Sequence, residues 1–95
     1  MITINDFTRI SNDVNGNPRY VFPFQYLVND KDREDGRNST EFTVDYIYNL
    51  AVKRAKQIGG KKFHNKQYGG GIVIQSYNLH DEVKKINEIV ANLEV

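Results

Sequence analysis

Two sets of apolar residues recur at helical spacing in this chain, and each follows a segment patterned as a pair of strands. Val44, Ile47, Ala51, Ala55 and Ile58 are separated by threes and fours, which predicts a helix over about 43–58 that Gly59-Gly60 stops. Leu79, Val83, Ile86, Val90 and Leu93 form a second stripe, with Asn78 as its cap and Asp81 three residues on. A helix with one apolar stripe must lay it against something, and the strand-like segments supply that surface.

The first such segment is read as a hairpin. Ile2, Thr3, Ile4 and Phe7 to Ile10 lead to Asn15-Gly16, which suits a type I′ turn, and Arg19 to Val28 returns. Pro18 and Pro23 cannot donate ladder hydrogen bonds, so the returning strand is expected at an edge or bulged. Its alternating Tyr20, Phe22, Phe24 and Tyr26 would share one face and bury beneath the helices, leaving Arg19 and Gln25 outward. Residues 29–38, with seven charges in DKDREDGR, read as a solvated loop. Lys61 to Lys66 and Ile72 to Tyr77 form a second hairpin, joined across Gln67, Tyr68 and the glycines 69–71. The resulting fold is α+β, in the order ββαββα: a four-stranded antiparallel sheet with two helices on one face. At 95 residues it is one domain spanning 1–95.

Charge is sorted along this framework. Between Asp45 and Asp81 thirty-five residues pass without an acid, and they carry Lys53, Arg54, Lys56, Lys61, Lys62 and Lys66. The chain totals only +1, so this +6 is balanced by −5 elsewhere. If the first helix's end and the second hairpin's base are neighbours, these bases make one patch, with His64 and Tyr68 interleaved, suited to nucleic acid or a nucleoprotein complex. The bland alternative is a solvated face whose lysines complement the helix dipole.

Other chemistries find little material. There is no cysteine, which excludes disulfides and thiolate sites, and His64 and His80 are the only histidines. No metalloprotease, nucleophile-elbow or phosphate-loop string occurs. We therefore expect a non-enzymatic protein with no catalytic residue, no metal ligands and no cofactor. No apolar run suggests membrane insertion or a leader, so the expected setting is cytoplasmic.

Part of the second hairpin, Lys66-Gln67-Tyr68-Gly69-Gly70-Gly71-Ile72-Val73-Ile74, resembles an RNA-recognition-motif signature. Gly70, however, stands where that family stacks a second aromatic, and no companion signature occurs on another strand. Glycines serving a turn or a close backbone approach are the simpler reading. Two longer strings, Asp6 to Val21 and Lys61 to Asn78, resemble short accessory proteins of phages and plasmids. That resemblance carries no activity with it. It implies a mobile-element setting, in which small proteins commonly bind and block host nucleic-acid machinery, including defence nucleases. Two functional expectations result: a nucleic-acid or nucleoprotein binder using the basic patch, or a protein-only inhibitor or adaptor of a host protein, docked through the first hairpin's edge and the acidic segment 30–35. An open edge would also admit strand-to-strand pairing in a homodimer.

Overall fold

The computed structural model describes residues 2–38, 44–65 and 69–93. In chain order the regular elements are β1 (Thr8–Ile10), β2 (Arg19–Pro23), α1 (Asp30–Arg37), α2 (Val44–Ala55), β3 (Lys61–Asn65), β4 (Gly69–Gln75) and α3 (Leu79–Leu93). Short 3-10 turns occupy Ile4–Asp6, Phe24–Leu27 and Lys56–Ile58. The expected α+β class and antiparallel four-stranded sheet are present, with strand order β1-β2-β4-β3.

Since β2 and β3 both run antiparallel to β4, which lies between them, β2-α2-β3 is a split β-α-β unit. From β2 onward the chain follows a ferredoxin-like order, with the closing strand, β1, placed ahead of it in sequence. The shortest molecular extent is 20 Å, which fits one sheet and one helical layer about 10 Å apart.

The core lies between those layers. Phe22, Ile72 and Ile74 project from the sheet; Tyr48, Ala51 and Ala55 come from α2 and Ile86 from α3, with Leu27 and Ile2 closing the ends. Leu79, Val83, Ile86 and Val90 of the predicted α3 stripe pack at the core, joined by Ile89, and Asn78 caps the helix, its Oδ1 accepting from the Asp81 backbone N–H at 3.3 Å. On α2 Ala51 and Ala55 are buried as the spacing predicts and Ile58 packs beside them, but Tyr48 rather than Ile47 completes the buried face. Gly59 ends the helical run at φ 71°, in the left-handed region that glycine tolerates best.

Several local expectations are corrected. Residues Ile4–Asp6 form a 3-10 turn rather than a strand, because the Asp6 carboxylate accepts from Thr3 N–H at 2.7 Å. Gly16 has φ 82°, but Asn15 does not have positive φ, and no non-glycine residue among those described does, so Asn15-Gly16 is not a type I′ turn. Instead Asp13 Oδ1 accepts from both Asn15 N–H and Asn17 N–H at 2.9 Å, shaping a wider loop over residues 11–18. β2 is an interior strand: Pro18 lies just before it, and Pro23 pairs with Gly71 beyond the last β1 pair, Thr8 with Val21. The strand ends at Pro23, so the aromatic alternation breaks there. Phe24 stacks on Tyr48 at 4.7 Å, while Tyr26 turns outward and donates to Asp6 at 2.8 Å.

Residues 30–37 are helical, not loop, making three helices among the described residues where the spacing predicts two. Asn29 and Asp32 form a reciprocal capping box at 2.9 and 2.8 Å, which starts α1 without any apolar stripe. Glycines 69–71 belong to β4, and β3 ends at Asn65. Gln67 and the remaining expected link residues, Lys66 and Tyr68, lie outside the described residues.

Those strand glycines answer to Tyr48. A Cβ on Gly70 would stand 2.6 Å from Tyr48 Cε2, so only glycine lets the ring lie flat beneath β4. From there the hydroxyl reaches the carbonyls of Phe63 and Gly71, the latter at 2.9 Å, and accepts from Gly71 N–H at 3.2 Å. Replacing Tyr48 by Phe should keep the ring packing but strand these backbone groups, lowering stability by about 1–3 kcal/mol in urea unfolding. A change below about 0.5 kcal/mol would show that the hydroxyl does not hold β3 to β4.

Candidate nucleic-acid interface

Side chains of directly paired strand residues share a face, so the register sorts the sheet. Arg9, Tyr20, Phe22, Ile72, Ile74, Lys62 and His64 belong to the face beneath the helices. Arg19, Val21, Val73, Gln75, Lys61 and Phe63 are among those on the opposite face.

This sorting divides the expected basic patch. Arg54 is not a free base: its guanidinium grips the Asp32 carboxylate at 2.7 and 2.9 Å and donates to Leu27 O at 2.8 Å. With the two side chains only 17% and 13% exposed, this forked pair fixes α1 against α2. Lys62 holds its ammonium 4.8 Å from the centroid of the Tyr48 ring, and Arg9 lies 5.4 Å from that of Tyr20. These bases are therefore engaged in the fold.

Lys53, Lys56 and Lys61 are exposed, and none forms an ion pair among the described residues. Lys53 is in the last turn of α2, Lys56 opens the following 3-10 turn, and Lys61 begins β3 just after the glycine break. That break is tight, with Gly60 N–H donating to Ala55 O at 2.8 Å. The helix end and hairpin base are thus neighbours, as convergence of these bases requires. His64 is exposed opposite Gly70, while Lys66 and Tyr68 lie outside the described residues.

The register adds what the linear charge count missed. The four strands carry Arg9, Arg19, Lys61 and Lys62 but no Asp or Glu. Arg19 is held in place by Ser11, its Nε donating to Ser11 O at 2.8 Å and Nη2 to Ser11 Oγ at 3.2 Å. Its outward alternation in β2 was the available sequence signal. Arg19 and Lys61 line a common depression of 200 Å³ with Val73, Gln75 and Asp13. The Asp13 carboxyl is held below its usual range chiefly by the Asn17 backbone N–H, with the Asn17 amide and Asn15 N–H adding to the effect.

Fold and site together define a two-layer α+β protein whose sheet is basic and whose acids, among the described residues, lie in helices, turns and loops. No helix among the described residues is long and apolar enough to cross a membrane. The chain belongs to the family of the Staphylococcus phage terminal repeat-encoded protein TreK, whose sequence profile matches residues 3–95. This agrees with the phage setting implied by the resemblance of the two strings. No curated protein and no solved structure matches the chain.

The Arg54–Asp32 pair gives the site a pH signature. The hydrogen bonds from Arg54 hold the Asp32 carboxyl below its ordinary value, with the Asn29 N–H assisting. Asp32 therefore ionises more readily folded than unfolded, so its contribution is complete above about pH 4 and is lost as pH falls through the lower folded value. Asp32→Asn should lower stability at pH 7 by about 1–3 kcal/mol. In urea titrations at a series of pH values, the gap from wild type should close toward pH 2; a gap that persists there would exclude this linkage.

Proposed function

We propose that this phage protein is a non-enzymatic binding module that engages nucleic acid, alone or within a nucleoprotein complex, through the exposed bases around the end of α2 and the start of β3. The observation that carries this reading is the placement of Lys53, Lys56 and Lys61. They are exposed, flank one glycine break and have no acid paired to them among the described residues. Structural roles account for Arg54 and Lys62, but not for these three. Lys56, near the end of the helical run, also complements its dipole, a local role that leaves its ammonium free for phosphate. Small phage proteins of this kind would act by occupying a surface that host nucleic-acid machinery needs.

The competing reading, a host-protein partner docked on the first hairpin and the acidic segment, retains exposed Asp30, Glu34 and Asp35 on α1. Its docking edge, however, becomes β1, whose three residues offer few backbone groups for strand addition. Co-purification from nuclease-treated host lysate would favour that reading if a protein partner is retained.

Fluorescence anisotropy with labelled DNA and RNA oligonucleotides tests the proposal. Three phosphate contacts give a log–log salt slope of roughly −2 to −3, at about 0.7 to 0.9 per contact. Reversing Lys53, Lys56 and Lys61 to Glu should weaken binding by at least about tenfold, whereas Lys84→Glu on α3 should change it less than about twofold. Absence of binding at about 50 mM salt, or equal losses from both substitutions, would refute the proposal.

A further inference from the structure

Of the sheet face turned away from the helices, Val21 is buried, and the composition of the rest is distinctive. Its most crowded row is Thr8, Val21, Val73 and Lys61, flanked on one side by Arg19 with Gln75 and on the other by Pro23 with Gly71 and Phe63. Thr8, Pro23, Lys61 and Gln75 are exposed; Val21 is shielded beside Gly71, whose added Cβ would meet Val21 Cγ1 at 2.9 Å. No strand residue on either face is acidic.

Two depressions lie on either side of the central valines. One, of 340 Å³, lies around the Pro23 end of the central strands, where it is lined by Thr8, Val21, Pro23, Gln25 and Gly71 and also by Phe22, Phe24 and Gly70, and it has no charged residue in its lining. The second is the 200 Å³ depression shared by Arg19 and Lys61. Asp13 also borders it and, held ionised by two backbone N–H groups and the Asn17 amide, offsets one of the two positive charges, so the depression keeps a net charge of +1. An uncharged depression beside a basic one matches a base beside its phosphate.

We infer that this open sheet face binds single-stranded nucleic acid, with bases over the surface around Thr8, Pro23 and Val73 and backbone phosphates on Arg19 and Lys61. The inference rests on the nucleic-acid reading above and specifies its ligand and its surface. Charge complementarity favours a polyanion over an acidic peptide only together with the uncharged depression, which suits planar bases. Width separates single strands from duplexes. Four strands at about 4.8 Å spacing span roughly 14 Å between their outer axes, more than the major groove's width of about 12 Å, so this face cannot reach the bases of an intact duplex. A single strand can lay its bases directly on the sheet. Recognition here does not use the position that the RNA-recognition signature would assign to Gly70, because that residue belongs to the helix side, against Tyr48.

The test compares a labelled oligothymidylate of about twelve nucleotides with a duplex of equal length, using the full chain and the variants Thr8→Glu and Gln75→Glu. Both positions are exposed, and thermal melting by circular dichroism verifies that each variant is folded. The single strand should bind about tenfold more tightly than the duplex, and each variant should weaken it at least about fivefold. Duplex binding of equal strength, or single-strand binding that both variants leave unchanged, overturns the open-face assignment while leaving the helix-end patch in place if reversal of Lys53 and Lys56 still reduces binding. Failure to bind either form overturns both readings.

Discussion

The contact on which most of this fold depends is that between Tyr48 and the backbone of the β3–β4 pair. The ring is stacked on Phe24, lies against a strand position that only glycine can fill, and carries a lysine on its edge of the sheet. Its hydroxyl then meets three backbone groups of the two strands. An O–H can donate to only one carbonyl at a time while its lone pairs accept an N–H, so the phenol acts as a shared node rather than a single bond. One side chain thereby sets the height of α2 above the sheet, the path of the turn after β2 and the conformation of the glycine-rich strand.

Charge is allotted in two ways. Where a base points into the layered side of the molecule, a partner receives it: Asp32 for Arg54, and aromatic rings for Lys62 and Arg9. Where bases point away, at the end of α2, on β3 and on the outer face of β2, no ion pair engages them among the described residues, though Asp13 lies within electrostatic reach of Arg19. The acid-free interval in the sequence is thus a mixture of structural cations and uncommitted ones. Only the fold separates them.

Much of the architecture was legible because it follows from periodicity and punctuation. The α3 stripe, its Asn78 cap and the Gly59 stop each express a rule local to a few residues. What escaped the sequence reading depends on distant partners. The segment 30–37 contains no apolar residue and is helical through an Asn29–Asp32 cap and an ion pair to Arg54, twenty-two residues downstream. The cap itself was readable, but the pairing was not. Glycines 69–71 read locally as a turn because what Gly70 and Gly71 do, admitting the Tyr48 ring and the Val21 side chain, involves residues outside the segment. Of the candidate site, the bases were visible in the sequence. Their division between structural and free roles, and their union with Arg19 across the sheet, required the register.

The order of the strands also bears on how this chain acquires its structure. The central ladder joins β2 to β4, segments about fifty residues apart, whereas each hairpin's own partners are close in sequence. Neither hairpin has a core by itself, since Phe22 from one and Ile72 from the other are buried in the same cluster. The loop-closure entropy of the intervening segment must therefore be met before that cluster can form. During synthesis the first hairpin emerges without its sheet neighbour and waits for the glycine strand to be made. A ribosome-bound chain lacking β4 would therefore present unpaired aromatic strands rather than a stable half-domain.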